Sequence, residues 1–319
     1  MKLLTMLFSL ALASLAAAPL PVGGYRILKE IPLGGHGRGD YLTLDESARH
    51  LYVSHETEVD VVNADSYAKI GRIPAQGAHG IAVADKWNHG FSTNGEANTV
   101  TMFDLKTLKV LRHIPAGKGP DGIIYDPATR RIFAFNGDGD SATAIDAATG
   151  NVAGTVDLGG GPEFAAADGR GYVFNNLEDK SELVKIDARK LKADAHWPLA
   201  PCQRPSSMAM DRPNRRIFIG CRSHVMAVVN ADNGHVVTTL PIGDHVDATS
   251  FDPTTRLIFN SNGDGTLTVF HQDDPDHYSH VETIKTLPFA KTSALDLKTN
   301  RLFLSTEVGG KFTLLVVGK

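Results

Sequence analysis

Ile123-Ile124-Tyr125-Asp126-Pro127, Phe133-Ala134-Phe135-Asn136 and Ala142-Thr143-Ala144-Ile145-Asp146 follow one another along a short stretch of chain. The first is an apolar strand running into an Asp-Pro turn, where proline fixes φ and stops strand pairing, so the chain must reverse. The second is a buried strand ending on a polar residue, and the third alternates apolar and polar residues beyond a polar hairpin. A further strand follows in each such unit, as in Leu108-Lys109-Val110-Leu111-Arg112-His113-Ile114. Four antiparallel strands result, which is one propeller blade.

The middle segment recurs along the whole chain. It reads Tyr52-Val53-Ser54-His55, Phe91-Ser92-Thr93-Asn94, Phe133-Ala134-Phe135-Asn136, Tyr172-Val173-Phe174-Asn175, Phe218-Ile219-Gly220-Cys221, Ile258-Phe259-Asn260-Ser261 and Phe303-Leu304-Ser305-Thr306, with starts 39, 42, 39, 46, 40 and 45 residues apart. Seven repeats predict an all-β, seven-bladed β-propeller. The last repeat has room for three strands only, so Tyr25-Arg26-Ile27-Leu28-Lys29-Glu30-Ile31 is expected to supply the fourth and close the ring, covering edges that an open array would expose.

The rest of the composition fits an exported protein. Met1-Lys2, an apolar run from Leu3 to Leu15 and Ala16-Ala17-Ala18 have the order of a secretory leader, predicted to end near residue 19 and to leave residues 20–319 as one domain. A periplasmic or secreted location follows, with no stable membrane insertion, because that run is short for a bilayer span. Lys plus Arg total 32 and Asp plus Glu 36, a formal charge of −4, which gives no basic surface for nucleic acid. Cys202 and Cys221 are the only cysteines. In an oxidising compartment they are expected to pair, the alternative being a soft-metal site with His224 and Met226.

These repeats resemble the YVTN family of bacterial β-propellers, the YncE-like proteins, named after a Tyr-Val-Thr-Asn segment. Phe91-Ser92-Thr93-Asn94 is close to that form, and the family's Pro-acid-Gly opening of the inner strand stands here as Gly119-Pro120-Asp121-Gly122. The likeness covers Tyr25 to Lys319. It implies a propeller fold and a periplasmic or surface location, on a scaffold that hosts sugar lactonases, lyases, redox-protein domains and plain binding modules.

A residue that only the blade requires should look alike in every repeat, so departures are candidates for function. The position after the turn proline reads Asp40, His79, Asp121, Glu163, Ser206, Asp247 and Lys291; two places earlier stand Arg38, Gly77, Gly119, Gly161, Arg204, His245 and Phe289. Both sets are expected around one mouth of the central channel, joined by His55 and the other final residues of the recurring segment, with His36 reaching in from a loop. Imidazole with carboxylate is the ligand set of zinc, manganese or iron. The predicted metal ligands are His79, His245, Asp40, Asp247 and Glu163, holding a divalent ion; His55 or Asp121 would move a proton, and Arg204 or Lys291 would hold an anionic group. The expected function is metal-assisted hydrolysis or elimination on a small polar or carbohydrate-derived substrate at the funnel of a monomer. The alternative is a non-catalytic scaffold that binds a ligand or a protein partner there.

Other motifs carry less. Asn136-Gly137-Asp138-Gly139-Asp140 and Asn262-Gly263-Asp264-Gly265 look like the start of a calcium loop but lack its twelfth-position Glu, so both are read as hairpin turns. Arg38-Gly39-Asp40 falls at a strand entrance and is read as accidental. There is no Gly-x-Ser-x-Gly elbow, no Gly-Lys-Ser/Thr phosphate loop and no Cys-x-x-Cys-His haem motif.

Overall fold

The computed structural model describes residues 24–36 and 39–319. The predicted leader and Arg38 lie outside the described residues. Seven four-stranded antiparallel sheets run in sequence order, each built as the repeat predicts. In the first, Leu42–Asp45 lies innermost, followed outward by His50–His55, Glu58–Asn63 and Lys69–Pro74. The seventh takes its outer strand from the other end of the chain: Arg26–Pro32 pairs with Lys311–Gly318, in a register that runs from Arg26 opposite Gly318 to Pro32 opposite Thr313.

The core lies in the seams between blades. Phe133, Phe135 and Val156 of the third blade pack with Val173, Val184 and Ile186 of the fourth. The same arrangement recurs around the ring, with the large aromatic residues of the recurring segment fully buried apart from Tyr172, which is half-buried. The inner strands of the first, third and sixth blades end on an aspartate whose carboxylate accepts backbone N–H groups two and three residues on, as Asp126 does from Ala128 and Thr129. That Asx turn is the physical content of the Asp-containing reversal in the sequence. Blades are also stitched by ion pairs, such as Arg49 of the first, which donates to both oxygens of Asp296 in the seventh at 2.9 and 2.6 Å.

Cys202 and Cys221 form a disulfide. This removes the soft-metal alternative: Met226 is buried, and His224 turns instead to Asp244, 3.6 Å away. The two calcium-like stretches are turns. Gly137–Gly139 is a single turn of 3-10 helix, and Asp264 accepts from Asp244 N and Thr266 N.

Candidate functional site

A register shift opens the inner strand in five blades, between Ala78 and Ile81, Pro120 and Ile123, Pro162 and Ala165, Pro205 and Ser207, and Val246 and Ala248. The residues skipped include His79, Asp121, Glu163, Ser206 and Asp247. A bulge leaves its extra residue unpaired and re-aims the side chain, which is why His79, Asp121 and Glu163 line the cavity at the channel mouth. The recurring segment holds these bulges in place. Thr93 Oγ1 accepts from Gly80 N at 2.8 Å and donates to the Asp121 carbonyl at 2.5 Å. Ser54 Oγ accepts from Asp40 N, and Asn175 donates to the Glu163 carbonyl.

Three of the expected residues converge tightly. His79 Nδ1 lies 2.7 Å from Asp40 Oδ2 and 3.6 Å from Asp121 Oδ1. One ligand atom from each residue falls within 4.8 Å of the others. Asp121 Oδ1 is buried and has no hydrogen-bond partner. A Cβ at Gly95 would sit 2.8 Å from His79 Nε2, so any side chain there would displace the imidazole from this position. The cluster opens into a cavity of about 680 Å³ lined also by Glu96, Asp138, Glu178 and Arg204.

The other expected residues divide into pairs. Glu163 shares a hydrogen bond with Glu178. Asp247 is nearly buried and is held by the Lys291 ammonium, with the Arg222 guanidinium 3.7 Å from its other oxygen. Arg204 reaches Glu178 Oε1 at 2.7 Å, and Ser206 Oγ donates to the Val246 carbonyl. His245 is exposed at the rim, 3.0 Å from Asp244, outside the tight cluster.

His55 lies apart from the ring. Its ring stacks on Phe312 of the seventh blade at 4.0 Å, and its Nε2 donates to the His36 carbonyl at 2.8 Å. The expectation that the segment's final residue faces the funnel is corrected by the equivalent positions. Asn94 and Asn136 turn into their own blades, donating to Thr99 and Thr101 and to Ser141 and Thr143. In the sixth blade the pairing puts Asn262, not Ser261, at this place, donating to Thr266 and Thr268. His36 points its Nδ1 at the Gly310 carbonyl rather than at the ring.

Three residues escaped the sequence reading. Tyr41 follows Asp40, yet its ring stacks on Phe164 of the fourth blade at 4.7 Å. It therefore crosses the channel below the carboxylates and gives the funnel a floor. Glu178 and Arg222 stand just after Leu177 and Cys221, which pair with Pro162 and Pro205 at the inner-strand entrances. The corresponding positions of the second, third and sixth blades are Gly95, Gly137 and Gly263. That alternation of glycine with charge is a signal the repeats contain.

Crowded carboxylates set the electrostatics. Burial, then the charge of Asp40, pushes Asp121 up to about 7, against the pull of His79. Burial, the charge of Asp121 and the hydrogen bond to Glu178 push Glu163 up to about 10. Burial raises Asp247 against the pull of Lys291, and the Asp40 hydrogen bond raises His79. Tyr41 is held well above its ordinary value by burial and the same carboxylates. Such a site is under charge stress that a cation relieves.

No protein-family model matches the chain, and no curated protein matches it. Among solved structures, a chain of hydrazine synthase from Kuenenia stuttgartiensis superposes with a TM-score of 0.75 at 14% sequence identity, covering 89% of this chain and 95% of that one. At that identity the likeness concerns the fold, a β-propeller, alone.

Proposed function

We propose that this propeller holds one divalent ion on Asp40, His79 and Asp121 and uses the funnel around it for metal-assisted hydrolysis or elimination on a small polar substrate. The observation that carries this is the unpartnered, buried Asp121 oxygen facing the His79–Asp40 pair. Two carboxylates and an imidazole suit zinc or manganese, and three protein ligands leave a position for a substrate oxygen or water. A bound ion would supply Lewis-acid polarisation or acidify a water. Glu163, protonated at neutral pH, stands ready to donate a proton, a role the sequence reading gave to His55 or Asp121. The stacked Tyr41 and Phe164 rings would form the floor of the site.

Arg204 and Lys291, expected to grip an anionic group, are each already engaged by a carboxylate. This favours, as the second reading, a ligand-binding module without turnover. The recurring segment and the Pro-acid-Gly turn support membership of the YVTN-repeat proteins. The leader-like N-terminus and the disulfide support a periplasmic or secreted location. Among the described residues, no helix is long and apolar enough to cross a membrane.

Elemental analysis after dialysis against a weak chelator tests the proposal, comparing wild type with His79→Ala, followed by a screen of lactones and uronic-acid derivatives. Near-stoichiometric metal that disappears in the variant, with turnover that disappears alongside it, is expected. Metal without turnover selects the binding module, and equal metal in both proteins removes the funnel site.

A further inference from the structure

The first blade departs from its neighbours at a second place, remote in function from the funnel cluster. Where Asn94, Asn136 and Asn262 clamp two hydroxyls on the adjoining strand, this blade carries His55 opposite Glu58, and Asp60 opposite Val53. A neutral carboxamide–hydroxyl clamp is thus replaced by an imidazole and two carboxylates, whose ligand atoms lie within 4.8 Å of one another.

The hydrogen bonds fix the chemistry of this trio. The His36 carbonyl can only accept, so His55 Nε2 donates to it and Nδ1 is the ring nitrogen left facing Asp60. Nδ1 stands 3.7 Å from Asp60 Oδ2, too far for a hydrogen bond. The Asp60 side chain is fully buried, and its Oδ2 accepts no hydrogen bond. Two lone-pair donors at this spacing, with a backbone carbonyl orienting the far ring nitrogen, is how proteins present histidine to a metal. Bonds of about 2.0–2.2 Å to one ion place its ligands roughly 3–4 Å apart.

We propose that His55, Glu58 and Asp60 form a divalent-cation site of zinc type at the seam between the first and seventh blades. The Lys69 ammonium, 2.5 Å from Asp60 Oδ1 and 3.6 Å from Glu58 Oε1, takes the cation's place in the metal-free protein. Arg72, mostly exposed, is 3.3 Å from Glu58 and completes the charge balance. His55 and Asp60 are buried, whereas the Lys69 side chain is about a third exposed and can swing into solvent when an ion arrives. Because His55 also stacks on Phe312, the ion would fasten the blades where the ring closes.

The test uses full-length protein carrying His79→Ala and Asp121→Asn, so that the funnel cannot contribute. Equilibrium dialysis against zinc chloride, read by elemental analysis, should find one zinc per chain. Adding His55→Asn, the residue the other blades use, should weaken binding at least tenfold. Adding Lys69→Met instead should tighten it severalfold by removing the built-in competitor. If the asparagine variant fails to fold, Lys69→Met decides alone. No bound zinc in the funnel-deleted protein, affinity unmoved by His55→Asn, or Lys69→Met without tightening would each overturn the assignment.

Discussion

Asp121→Asn should stabilise the metal-free protein, and do so only above acidic pH. In the folded funnel Asp121 is pushed up to about 7 by burial and by Asp40, against an ordinary value of about 3.9 in an unfolded chain. The folded site therefore favours the protonated acid. That contribution is complete below about pH 4 and is lost as pH rises toward 7. At about 1.4 kcal/mol per pH unit the full penalty above pH 7 approaches 4 kcal/mol. The side chain is 30% exposed, so screening by funnel water cuts this to roughly 2 kcal/mol. His79 works in parallel, since the protonated imidazole stabilises the fold below its unfolded value, and the effect fades as pH rises through its raised folded value. Asparagine keeps the shape and cannot ionise. For a ring of this size the variant should melt roughly 3 °C higher than wild type at pH 8 in chelator, with little difference at pH 4. Differential scanning calorimetry at the two pH values measures it. A variant equal to or less stable than wild type at pH 8 would mean that Asp121 is comfortably ionised beside His79. The charge stress behind the metal assignment would then be absent.

Other consequences are sharper in structure than in chemistry. Asn136→Ala leaves the Ser141 and Thr143 hydroxyls without their clamp and should cost about 1–3 kcal/mol in urea unfolding, with an unchanged slope. Reduction of the Cys202–Cys221 bridge, which joins residues 19 apart, should cost about 3 kcal/mol, read as a lower urea midpoint with reductant. Tyr41→Ala removes the funnel floor and admits water below the ring, so the Glu163 carboxyl should titrate well below its present value of about 10 when followed by carbon-13 NMR.

The architecture was open to reading because a strand-turn-strand pattern repeated seven times has few other solutions, and Tyr25 to Ile31 had no other blade to join. The ring of Asp40, His79 and Asp121 was legible for the same reason: equivalent positions in equivalent blades face the same channel. His55 was misplaced because one structural rule was applied to two different strands. The inner-strand residue escapes its ladder at a bulge, whereas the segment's final residue stays paired and turns into the blade, as Asn94 and Asn136 show. Blade four hid Glu178 by carrying Leu177, not Asn175, opposite Pro162. Tyr41 was invisible to any repeat comparison, because its partner Phe164 lies across the ring and no local pattern encodes a contact over open space.

The pairing of Arg26–Pro32 with Lys311–Gly318 also decides how the molecule answers to force. Its register sets Arg26 beside Gly318, so both ends of the described chain leave the sheet at the same corner. Pulling those ends apart loads the ladder one hydrogen-bonded pair after another instead of shearing all of them together. The ring should unzip at low force from this corner, peeling away the outermost strand of the seventh blade before any other blade is disturbed. A propeller stitched this way is weak to a tug on its ends.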